Sequence, residues 1–204
     1  MTMILRLHEL FLNAIKQLDV VALPALRIYL AAVFWVAGMN KVNGFDQVVE
    51  WFGNPDWGLG LPLPWLMAFL ATASEVAGAV LLTLGLATRY ISVPLMITML
   101  VAVFSVHWPY GWQAVADLQS AGATDATQEA ITRLQRAREI LQEHGNYDWL
   151  TDSGRYSFVV SNNGIEWGVT YFLMLAVLAF SGGGRWFSAD YWIAKHFVRS
   201  ADRV

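Results

Sequence analysis

Glu75 is the one ionisable side chain between Asp56 and Arg89, near the middle of a membrane-length apolar run, Trp65 to Ala87. A carboxylate at the centre of a bilayer costs about 3 kcal/mol or more, so such a residue faces a bundle interior and a partner. A carboxyl group held there can accept or deliver a proton near neutral pH. Other polar residues gather at the ends of neighbouring apolar stretches: Asn40 and Lys41, then His107, then Asn163 and Glu166. His107 and Lys41 can position or polarise a ligand, and Glu166 can pair with one of them. Each residue also has a plainer reading. Glu75 can serve as glue between helices, and Lys41 can snorkel to the interface. His107 can be a satisfied interfacial histidine, and Glu166 an acid favoured by a helix N-terminus.

Four apolar spans would position these groups, over residues 23–40, 65–87, 90–107 and 165–182, each close to the ~20 residues that cross a bilayer. The expected fold class is all-α: an integral membrane four-helix bundle forming a single membrane domain over 1–204. Met3 to Leu18 precedes it as an amphipathic helix, with Ile4, Leu7, Phe11, Ile15 and Leu18 on one face, lying in the interface. A long, partly helical outer loop, 108–164, separates spans three and four. In it Asp125 and Gln128 stand at capping-box spacing, Glu129 and Arg133 at i,i+4, and Gly145 can end the helix. Arg155 to Val160 reads as extended and Asn163-Gly164 as a turn.

In a four-span arrangement Arg6, Lys16, Arg89, Arg185, Lys195, Arg199 and Arg203 fall on one side, which puts both termini in the cytoplasm. The polar residues then share the outer half of the bundle, with Glu75 about 15 Å below Trp65 by helical rise. Arg89 reads as a topology anchor, and Arg27, one turn inside the first span, either pairs across the bundle or snorkels. Of the 10 Trp, Trp51, Trp57, Trp65, Trp108, Trp112, Trp149 and Trp167 lie on the outer side. An aromatic belt accounts for several. The excess suggests an aromatic cover over the bundle mouth, suited to a planar ligand such as a quinone, with Asn40, Trp108, Trp112, Asn163 and Trp167 around it.

The 204 residues are 56% hydrophobic and only 14% charged, against about a quarter charged in soluble domains. This is the composition of a multi-pass membrane protein with the lipid bilayer as its solvent. A net charge of -3 argues against a nucleic-acid partner. With no Cys, the chain has no thiol relay, disulfide or thiolate-bound metal of its own. No signal peptide is visible. Copper(I) on thioethers with one imidazole, and haem with His107 as axial ligand, rank behind the quinone.

The strings Leu-Arg-Ile-Tyr-Leu at 26–30, Ala-Gly-Met-Asn-Lys at 37–41, Glu-Val-Ala-Gly at 75–78 and Leu-Gly-Leu-Ala-Thr-Arg at 84–89 resemble the DoxX family of small four-span membrane proteins. The segment Trp51 to Gly60, with Gly145-Asn146-Tyr147-Asp148-Trp149-Leu150, Asn162 to Glu166 and Gly182-Gly183-Gly184-Arg185, resembles its HvfX branch. The resemblance implies a DoxX-like bundle in the bacterial inner membrane. Some members are associated with thiosulfate:quinone oxidoreduction, others with redox-defence assemblies. The HvfX branch is linked to clusters that mature copper-binding, post-translationally modified peptides.

The leading expectation is therefore an inner-membrane redox component: a quinone-linked oxidoreductase, or a subunit of one, supporting such a partner enzyme. The rivals are a non-enzymatic anchor or assembly subunit, docking partner proteins of the cluster through its charged loop helix, N-terminal helix and basic tail, and a peptide or copper transporter. Four spans are few for transport, so the last would require a homo-oligomer.

Overall fold

The computed structural model describes residues 2–17, 19–152 and 154–198. Leu18 of the amphipathic face, and Arg199 and Arg203 of the basic tail, lie outside the described residues. Among those residues the regular structure is helical, with no strand and one isolated antiparallel bridge, Val115 to Ser161.

The elements are α1 (Thr2–Gln17), α2 (Asp19–Asn43), α3 (Phe45–Gly53), α4 (Pro64–Leu84), α5 (Thr88–Val101), α6 (Asp125–His144), α7 (Tyr147–Thr151), α8 (Glu166–Ser181) and α9 (Ala189–Ile193). Beyond Val101, α5 widens into π-helical turns over Ala102–His107 and ends in a tight turn at Trp108–Tyr110. Three stretches are long and apolar enough to cross a membrane: Val20–Asn43, Pro64–Leu84 and Thr88–Tyr110, with mean hydropathies of 2.0, 1.7 and 1.9. The expected fourth span is the apolar helix α8, whose 16 residues rise about 24 Å, less than the ~30 Å hydrocarbon thickness.

Two of the boundaries that differ from the sequence expectation have local reasons. The second span stops at Leu84 rather than Ala87, because Gly85 takes a left-handed conformation (φ 63°) and caps α4. The loop helix α6 is capped one residue earlier than expected. Thr124 and Thr127, not Asp125 and Gln128, form the reciprocal box. Gly145 caps its other end, and Glu129 pairs with Arg133 as expected.

The chain divides into two compact units, Met1–Thr98 with Tyr171–Val204, and Met99–Thr170. In the first, Leu30, Phe34, Leu82, Leu95, Leu175 and Leu178 are buried. Two glycines set the helix spacing. A Cβ on Gly38 would stand 2.8 Å from Val76 Cγ2 and 3.2 Å from Glu75 Cβ, and one on Gly78 2.8 Å from Leu95 Cδ1. Small residues let membrane helices approach this closely. Large apolar side chains such as Trp35, Phe69, Ile97 and Phe180 point outward, as a lipid-solvated surface requires. On α1, Leu7, Phe11 and Ile15 are likewise exposed.

In the second unit, the 111–116 and 160–166 segments are laced together. Ala116 N–H donates to Val160 O, Asn162 N–H to Ala114 O, Gly164 N–H to Gln113 O and Glu166 N–H to Trp112 O. The stretch expected to be extended, Arg155 to Val160, is irregular, and its pairing is carried by Val160 and Ser161.

Candidate functional site

In the first unit Lys41 reaches Glu75. Its Nζ donates to Oε1 at 2.9 Å and to Oε2 at 2.7 Å. The Glu75 side chain is 3% exposed and that of Lys41 25%. The local cause is the close crossing at Gly38: Lys41 lies one turn further along α2, and so arrives opposite the carboxylate of α4. The two charges cancel within an apolar helix pair, which is how an ionic group is tolerated there. A lysine ammonium has three donors, and two are engaged by Glu75. Asn40, beside it, is exposed, and its carbonyl accepts from Gly44 N–H. One turn along α4 from Glu75, Ala79 with Val80 and Thr83 lines an open apolar groove of about 380 Å³, bounded on the α2 side by Ile28, Ala31 and Trp35.

The same unit holds a second buried ionic group. Arg27, 2% exposed, donates to Gly183 O and Phe187 O, each at 2.7 Å. It therefore satisfies backbone carbonyls rather than snorkelling. Nearby in sequence, Asp190 accepts from Ala87 N–H (2.6 Å) and Thr88 N–H (2.8 Å), capping α5. Arg89 donates to the carbonyls of Ala179 and Phe180 at the end of α8.

The second unit contains the rest of the expected constellation. His107 Nδ1 lies 2.7 Å from Asn163 O. A carbonyl only accepts, so Nδ1 carries the hydrogen, and in the neutral ring Nε2 is left as the acceptor. Asn163 presents that carbonyl from a left-handed conformation (φ 60°), which asparagine tolerates. Trp108 is exposed and packs on Phe104 with ring centroids 5.2 Å apart. Glu166 Oε2 accepts from Ala114 N–H at 2.9 Å. Trp112, Glu166 and Trp167 line one cavity of about 410 Å³, together with Gln113, Asp117 and Ser120.

The structure therefore unites Lys41 with Glu75, His107 with the backbone of Asn163, and Glu166 with Trp112 and Trp167. The contributions of Gln113, Asp117 and Ser120 to the cavity, and of Asp190 to the α5 cap, were not anticipated. Asp190, three residues past Phe187, carries no local signal, since its partners lie about a hundred positions away. Gln113 and Asp117, four apart in a loop without periodicity, give none either. Among the described residues no three His, Asp or Glu side chains converge as a metal site would require.

Comparison with known proteins agrees with this helical frame. Residues 22–108 match the DoxX family model. The chain is 33% identical over 81 residues to the "Putative oxidoreductase CatD" of Bacillus subtilis (strain 168), covering 40% of this chain and 56% of that protein. It is 34% identical over 92 residues to the "Inner membrane protein YphA" of Escherichia coli (strain K12), covering 45% and 61%. The chain thus spans little more than half the length of the curated relatives it matches. No solved structure matches it significantly.

Proposed function

We propose that this membrane protein is a redox component of the bacterial inner membrane, working with the quinone pool in support of a partner enzyme that matures a copper-binding modified peptide. The observation that carries the reading is the Lys41–Glu75 pair, a carboxylate side chain 3% exposed inside an apolar helix with one ammonium donor left for a ligand. In this reading α8 completes a four-span bundle, and both termini face the cytoplasm. The oxidoreductase name of the Bacillus subtilis relative and the inner-membrane name of the Escherichia coli relative support it. The likeness to the HvfX branch supports the peptide-maturation role.

A quinone fits the residues present in the first unit. The apolar groove between α2 and α4 suits a planar ring or its isoprenoid tail, and its lining residue Ala79 is one turn along α4 from Glu75. When bound, the quinone supplies a two-electron, two-proton couple. Lys41 would hold a ligand oxygen through its remaining N–H, and Glu75 would hold or release a proton at its carboxylate. The test is Glu75→Gln in native membranes, with protein level checked by immunoblot. Quinone reduction and peptide maturation should both be lost, and unchanged rates in both would remove the assignment.

One observation favours a second reading, an anchor or assembly subunit. The exposed face of α6 carries the ion pairs Arg133–Glu129 and Arg136–Glu139, a surface on which a soluble partner can dock. Co-purification of a stoichiometric partner, with activity indifferent to Glu75→Gln, would select it.

A further inference from the structure

The cavity of the second unit has a chemistry unlike that of the first. Its 410 Å³ falls in the range of small-molecule sites. Trp112, Trp167, Glu166 and Asp117 are among the residues that line it, and no Lys, Arg or His does. Asp117 is exposed, and its Oδ1 accepts from Gln119 N–H at 2.9 Å, which leaves Oδ2 for a ligand. The arginines of this unit are engaged elsewhere: Arg133 with Glu129, Arg136 with Glu139, Arg155 with Asp152, and Arg138 with Phe158 O. Carboxylates that gather with aromatic faces and without a cation of their own attract one.

The walls are built before any ligand arrives. Gln113, 4% exposed, is clamped to its neighbour: Nε2 donates to Asp117 O at 2.7 Å, and Oε1 accepts from Asp117 N–H at 3.1 Å. Asn162, 3% exposed, donates to Tyr110 O and Gln113 O. Gly164 packs so tightly that an added Cβ would meet Gln113 O at 2.3 Å. The Ala114 amide fixes one oxygen of Glu166, which sets the carboxylate's direction.

We infer that this pocket binds an organic cation of the amine class, its ammonium held by Glu166 and Asp117 and its carbon body lying against Trp112 and Trp167. The assignment does not rest on the redox reading of Glu75. A primary amine or the lysine side chain of a peptide both present this chemistry.

The test uses the full chain in mild detergent, titrated calorimetrically with butylammonium chloride at constant ionic strength, with n-butanol and sodium butyrate as neutral and anionic counterparts. Butylammonium should saturate one site that neither counterpart fills. Glu166→Gln retains an oxygen for the Ala114 amide, and should weaken binding by about tenfold through loss of a charge-assisted contact. Trp112→Leu should weaken it by about threefold. Glu75→Gln should bind as wild type does, which separates this site from the redox reading. Equal affinity of butylammonium and butanol, or an unchanged Glu166→Gln isotherm, would overturn the assignment. So would displacement of butylammonium by a neutral quinone analogue, which would give the pocket to the quinone instead.

Discussion

Glu75 and Glu166 are both carboxylates set beside apolar helices, yet each is satisfied differently. Glu75, inside the segment that matches the DoxX model, faces a lysine that engages both its oxygens. Glu166, outside that segment, leans on a single backbone amide and opens on a cavity. Within a span there is no water to share a charge, so only an opposite charge or several hydrogen bonds will serve. At a loop a dipole suffices, and the rest of the charge remains available to a ligand. Arg27 is a third case: a buried cation answered by two carbonyls.

The largest test of this contrast is Lys41→Met. Removing one partner of a buried pair leaves an uncompensated charge and costs about 3–5 kcal/mol. The thermal midpoint in detergent should fall sharply, and Glu75→Leu added to Lys41→Met should recover most of the loss. Failure of the double variant to recover would mean that the pair is not the cause. Arg27→Met comes next. It strands the carbonyls of Gly183 and Phe187, each worth about 1–3 kcal/mol when unpaired. Limited proteolysis between α8 and α9 should accelerate in this variant.

Asp190→Ala removes the α5 cap, and should cost about 1 kcal/mol in the same thermal assay. The smallest effect is expected of Glu166→Gln, within about 0.5 kcal/mol of wild type, since a side-chain carbonyl still accepts from Ala114 N–H. A large loss there would erase the distinction between the two carboxylates, making Glu166 a structural ion like Glu75.

Much of the first unit could be read in the sequence, because apolar length and isolated charge are local signals. The three long helices follow from predominantly apolar stretches of about twenty residues, and Glu75 stood out by being alone. Its pairing with Lys41 was one option among several, decided by Gly38, whose missing side chain allows α2 and α4 to touch. The length of α8 was overestimated by only two residues, at 165–182 against Glu166–Ser181. The second unit was legible in its helix, α6, but not in its pocket. The bonds joining 111–116 to 160–166 connect residues about fifty positions apart without periodic pattern, so nothing local announced Gln113 or Asp117 as walls. Trp112 and Trp167 were read together as part of an aromatic cover and Glu166 as part of the polar constellation, and the folded loop brings all three to one cavity.

The central claim is that the Lys41–Glu75 pair serves a quinone. The most direct measurement is to purify the wild-type protein and Glu75→Gln in mild detergent, extract each, and quantify quinone per chain alongside the oxidised and reduced absorption spectra. The account predicts a stoichiometric quinone in the wild type that is lost from Glu75→Gln at unchanged folded yield. A wild-type extract free of quinone, or equal quinone in both proteins, would contradict it.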